Sequence, residues 1–185
     1  MGAQLWYRAA PWFPDPNEAL LALQSQWLME YFPNPAEYIR NDLEWTRGLV
    51  RKHEADRDPY GLLDMYRRKV VLLEEIARQG VPDDARQRID LVRQLCRLSG
   101  AQGVGSILDV LTTSQARALW VAEVLTTEEC RQLVGSARPT RQQAEAAVYR
   151  IHAELGRGEC ICFPIFAEKA AQEPAGWYFI GNTID

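Results

Sequence analysis

Gly158-Glu159-Cys160-Ile161-Cys162-Phe163-Pro164-Ile165-Phe166 is the stretch at which the chain changes rhythm. Upstream, apolar residues recur every three or four positions. Here they alternate, placing Cys160, Cys162 and Pro164 on one side of an extended chain and Ile161, Phe163 and Ile165 on the other. Trp177-Tyr178-Phe179-Ile180 is a second run of aromatic and β-branched residues. Residues 167–176 between them are charged and Ala-rich and close on Pro174 and Gly176, so the spacing predicts a β-hairpin with a long tip.

Working back from that hairpin, three hydroxyl-led helix starts match the capping-box spacing: Thr112 with Gln115, Thr126 with Glu129, and Thr140 with Gln143. They predict helices over about 114–125, 127–135 and 141–155. Three helices followed by a hairpin resemble the winged helix-turn-helix in architecture, with 127–135 as the supporting helix and 141–155 as the recognition helix. Ala144, Ala147, Val148, Ile151 and Leu155 would face a small core. Arg141, Gln142 and Arg150 would point outward, with Arg138 in the joint before them. These four are the candidate contacts to nucleic acid or to a protein partner, because Arg and Gln can pair bidentately with base edges.

Charge restrains the nucleic-acid alternative. Residues 101–185 carry seven basic and ten acidic side chains, a net of minus three, and the whole chain has a formal charge of −4. Duplex binding draws much of its affinity from phosphate neutralisation, which an acidic domain supplies poorly.

The first hundred residues announce helices through Asp15-Pro16-Asn17-Glu18 and Asn34-Pro35-Ala36-Glu37, each a capping side chain, then Pro, then Glu at the third helical position. Asp58-Pro59 and Val81-Pro82-Asp83-Asp84 suggest two further starts. Apolar stripes follow each, so residues 15–98 read as a four-helix unit. Three glycines among Gly100, Gly103 and Gly105 mark a linker. The expected organisation is an N-terminal helical bundle at 1–99 with an aromatic-rich leading segment, a Gly-containing linker and short helix at 100–111, and a winged-helix-like module at 112–185. The fold class is mainly α with a small C-terminal β-hairpin, that is, α+β.

Several functions are set aside. No apolar run approaches the roughly 20 residues that cross a bilayer. The opening lacks a basic-then-apolar leader, and Trp6 stands where myristoylation wants a hydroxyl, so the expected location is cytoplasmic. Cys130, Cys160, Cys162 and His152 can be grouped on paper, but their spacing is wrong for a zinc knuckle, and no metal or cofactor is expected. His53 lies in line with an apolar stripe and reads as a hydrogen-bonded structural residue. Arg67-Arg68-Lys69 reads as a solvated helix face. No nucleophile elbow, dinucleotide loop or carboxylate pair is present, so no catalytic residue is assigned.

Trp6, Trp12 and Phe13 precede the first helix in a Pro-interrupted segment. They either strap the core or form a partner-binding patch. Together these readings suggest a non-enzymatic adaptor or regulatory subunit acting through protein–protein contacts. A DNA-binding transcriptional regulator is the alternative, and an enzyme with an unrecognised site is the third.

Overall fold

In the computed structural model, which describes residues 4–99 and 104–183, the elements run β1 (Leu5–Pro11), α1 (Pro16–Tyr31), α2 (Pro35–Ala55), α3 (Leu63–Gln79), α4 (Ala85–Arg97), a 3-10 turn (Ile107–Asp109), β2 (Thr112–Ser114), β3 (Val121–Val124), α5 (Thr127–Val134), α6 (Arg141–Glu154), β4 (Cys160–Ile165) and β5 (Gly176–Asn182). The protein is α+β. Its strands form one mixed sheet of order β1-β5-β4-β3-β2, antiparallel at β1/β5 and β5/β4, parallel at β4/β3 and β3/β2. Two compact units result: residues 28–104, and residues 1–27 together with 105–185.

The alternation at Gly158 is borne by β4. Ile161, Phe163 and Ile165 pack with Tyr178 and Ile180 against α5 and α6 on one face of the sheet. Cys160 and Cys162 pack with Trp177 and Phe179 on the other. A single-residue slip would exchange the two sets, so burial on both faces fixes the register. Phe163, Tyr178 and Phe179 are essentially inaccessible, and each such side chain stabilises the fold by roughly 1.5–3 kcal/mol.

That second face needs a cover, and the first part of α1 supplies it. Ala19, Leu20 and Leu23 lie against Ile107, Val110 and the sheet, and the buried Gln24 Nε2 donates to the carbonyls of Ile107 (3.0 Å) and Val110 (2.7 Å). α1 as far as Trp27 therefore belongs with the sheet, although its apolar stripe reads as part of a four-helix unit. The leading aromatic segment is likewise a strand of the sheet, β1, and not a strap across a bundle.

One expected helix is absent. Residues 114–125 form the end of β2, a turn and β3. Thr112 does not cap a helix: its hydroxyl donates to Asn17 Oδ1 (2.9 Å), which also accepts the Thr113 N–H (2.9 Å). Helix-favouring residues at 115–118 are outweighed downstream, where Ala122 is fully buried on the sheet and Val121 and Val124 are β-branched. The three-helix-plus-hairpin order is thus two helices and a hairpin, with strands where the first helix was expected. The other two boxes are present as read: Thr126 with Glu129 and Thr140 with Gln143.

In residues 28–104, Ile39 and Leu43 of α2 pack on Leu73 and Ile76 of α3 and Leu95 of α4. Asn34 and Asp84 cap α2 and α4 by accepting from the N–H groups of Glu37 and Gln87. The third helix starts at Leu63, later than Pro59 suggests, because Arg57 and Asp58 take left-handed backbone conformations (φ 58° and 49°). Asp58 holds that turn: its carboxylate accepts from the N–H groups of Leu62 (2.8 Å) and Leu63 (3.1 Å) and lies 3.0 Å from His53 Nδ1. Lys69 departs from the solvated face expected of it. It is buried beside Asp42, while Arg67 and Arg68 pair outside with Glu54 and Asp64.

Candidate functional site

β1 and β4 run in the same direction, since each is antiparallel to β5. The two helices that lead from β3 to β4 bring the start of α6 to the carboxyl end of these strands. In α/β sheets this is where ligands settle, outside the strand ends and beside a helix N-terminus. A cleft of about 550 Å³ lies there, lined by Ala9 and Ala10 of β1, Thr140, Arg141 and Gln142 at the start of α6, Ile165 and Phe166 at the end of β4, and Gly176 opening β5. Gly176 is required by close approach: a Cβ at this position would stand 2.5 Å from the Ala10 carbonyl oxygen.

The four arginine and glutamine positions singled out from sequence separate into two pairs. Arg138 donates to the Ala171 carbonyl (3.2 Å) and lies 5.9 Å from the Phe166 ring centre, tying the joint before α6 to the loop before β5. Arg150 donates through Nε and Nη2 to the Leu133 carbonyl (3.1 and 2.7 Å), joining α6 to the last turn of α5. Arg141 and Gln142 are the exposed pair on the lip of the cleft. Arg141 Nε lies 2.8 Å from Glu145 Oε1, whose hydrogen bond and charge push the guanidinium pKa further up, so the lip presents a charged guanidinium–carboxylate pair. The Tyr178 hydroxyl, buried and without a hydrogen-bond partner among the described residues, titrates high, at about 12, first through burial and then through the Glu145 charge.

The aromatic candidates are all in or beside the sheet. The Trp6 indole lies across Gly181, where a Cβ would meet it at 2.3 Å. Trp12 stacks on Trp177, with ring centres 5.3 Å apart and planes 12° apart, and remains 39% exposed. The Phe13 carbonyl accepts from Trp177 Nε1 at 2.9 Å. Sequence reading found Arg141 and Gln142 through their place in the first helical turn. It places Glu145 outward on the same helix but not as the i,i+4 partner of Arg141. It missed Ala9, Ala10 and Gly176 as cleft wall, because a strand from the N-terminal segment joining this sheet leaves no local signal.

The thiols lie apart. Cys160 and Cys162 face one side of the sheet and Cys130 the other, and burial raises the pKa of all three, that of Cys130 to about 12. Among the described residues, no group of three or more His, Cys, Asp or Glu side chains is placed to hold a metal ion, and no helix is long and apolar enough to cross a membrane. Comparison with protein-family models, with curated proteins and with solved structures returns no match.

Proposed function

We propose that this chain is a non-enzymatic adaptor or regulatory subunit that receives a segment of a partner protein at the cleft between β1, the β4–β5 end and the start of α6. One observation carries the reading. The cleft has apolar and backbone walls with Thr140, Arg141 and Gln142 as its polar lining side chains, a donor-rich surface suited to gripping a segment and lacking an acid–base or nucleophile pair. Charge and shape can therefore select a partner there.

The engagement of Arg138 and Arg150 with backbone carbonyls favours this reading over duplex recognition, for which part of each guanidinium's donor capacity is already spent. A winged-helix assignment for 112–185 would retain α5, α6 and the β4–β5 pair, with β2 and β3 in place of its first helix.

The test is a photo-crosslinking residue at Gln142 of the full chain in its native cell. The expected result is one recurrent adduct to a defined partner segment, reduced about tenfold or more by Arg141→Glu and unchanged by Arg131→Glu on α5, which does not line the cleft. An adduct pattern indifferent to Arg141→Glu removes the proposal.

A further inference from the structure

We propose that the outer edge of β1 binds an extended, acidic segment of a partner protein by strand addition. The proposal rests on the docking reading above and names the partner's conformation and charge.

β1 is an outer strand of the sheet, seven residues long and hydrogen-bonded on one side to β5. The direction of each backbone group follows from parity. The Thr183 N–H donates to the Gln4 carbonyl (3.0 Å), which makes Gln4 and Thr183 a hydrogen-bonded pair. With continuous register from Leu5↔Asn182 to Pro11↔Gly176, the even residues Trp6, Arg8 and Ala10 share that role. Leu5, Tyr7 and Ala9 consequently turn their N–H and C=O groups away from β5, and Pro11 adds one more carbonyl. An extended chain laid along this edge finds a ladder of alternating donors and acceptors, the geometry of β-augmentation.

The charge of the occupant follows from Arg8. Its side chain is exposed, and Nη1 donates to the Tyr7 carbonyl (3.2 Å), one of the outward acceptors. The guanidinium thus guards the edge against indiscriminate pairing. It leaves that carbonyl most readily for a carboxylate, which accepts a stronger, charge-assisted bond. β1 contains no carboxylate, so a second copy paired along the same edge offers Arg8 no such exchange, whereas an acidic segment does. The edge is also continuous with the cleft: Ala9 and Ala10 belong to both, and Arg141 stands on the lip beyond them. A segment added to β1 passes Arg8 at mid-strand and reaches Arg141, paired with Glu145, on the cleft lip.

The experiment titrates the ¹⁵N-labelled full chain with a capped eight-residue peptide of alternating valine and glutamate. Two controls are the same peptide with lysine for glutamate and the acidic peptide N-methylated at alternate amides. Saturable shifts of the Leu5, Tyr7 and Ala9 amides are expected, with both controls binding about tenfold or more weakly. Arg8→Glu should exchange the preference between the acidic and lysine peptides. Ala9→Pro, which removes an outward N–H and spares the ladder to β5, should abolish binding; if it unfolds the chain, the Arg8→Glu exchange decides.

Equal binding of the lysine or N-methylated peptide overturns the proposal. So does concentration-dependent dimerisation that shifts the same three amides, since the occupant is then a second copy. Shifts confined to Thr140, Arg141 and Gln142 overturn the edge proposal and leave the cleft reading standing. Shifts confined to the strand amides support strand addition and remove the cleft from the docking path.

Discussion

Lys69 Nζ lies 2.9 Å from Asp42 Oδ1 between α3 and α2, with the lysine side chain 4% and the aspartate 10% exposed. The ammonium also donates to Ser99 Oγ at 2.7 Å and sits 5.8 Å from the Trp45 ring centre, while Asp42 Oδ2 has no hydrogen-bond partner among the described residues. Two charges removed from water repay their desolvation only while both remain.

Lys69→Met is therefore expected to lower the stability of the helical unit by about 3–5 kcal/mol, because it strands the Asp42 carboxylate in a dry site. The double variant Lys69→Met with Asp42→Leu should recover to within about 1–2 kcal/mol of the parent, since neither charge is then left unpaired. Urea unfolding of the parent and the two variants measures both. A single variant no less stable than the double would show that the pair is hydrated in solution.

Arg150 and Arg141 look alike in sequence, on one helix and both outward, yet they do different work. Arg150→Ala removes two donors from the Leu133 carbonyl in the last turn of α5 and should cost about 1 kcal/mol of stability. Arg141→Ala breaks only an exposed i,i+4 pair and should cost about 0.5 kcal/mol or less. Thermal unfolding of the two variants side by side measures the difference, and equal midpoints would contradict it.

How far the fold could be read from the chain depends on the range of each cause. Helix starts at Pro16, Pro35, Thr127 and Arg141 are set by side chains within four residues, so Asp15, Asn34, Thr126 and Thr140 announce them. The alternation of β4 is equally local. β1 and β3 belong to the sheet for non-local reasons: β1 pairs with a strand some 170 positions away, and β3 is drawn in by the buried slot that Ala122 fills. The lip residues Arg141 and Gln142 were legible because a helix's first turn is an exposed donor site wherever it lies. The wall opposite them was not, because it exists only once β1 has docked. Lys69 likewise sits in a run of cations that looks solvated, and only the packing of α2 against α3 shows which of the three is buried.

Asp58 gives the helical unit an acid limb. Lost hydration pushes its carboxyl upward, but N–H donation from Leu63, the His53 ring and the N–H of Leu62 outweigh it, and the net pKa falls below the ordinary 3.8. A depressed folded pKa contributes stability that is present above the unfolded value and lost as pH falls through the folded one. The stability difference between the parent and Asp58→Ala should accordingly shrink as pH falls below 3.8. Denaturant titrations across that range measure it, and a difference that grows below 3.8 would reverse the assignment.

Gly181 and Trp6 fit closely together in the sheet, and their coupling can be measured directly. A Cβ at residue 181 would stand 2.3 Å and 2.7 Å from two carbons of the Trp6 indole, too close for either to remain in place. Trp6 packs against the face that buries Phe179 and Trp177, so a displaced indole uncovers apolar surface there. Gly181→Ala should cost about 1–3 kcal/mol, the range for forcing an extra carbon into a filled site. In a Trp6→Leu background, where the flat ring is gone, the same substitution should cost about 1 kcal/mol or less, because alanine then fills space the leucine leaves. A double-mutant cycle by urea unfolding gives the coupling. If Gly181→Ala costs the same in both backgrounds, the strain lies in the β5 backbone and the indole is not what requires glycine there.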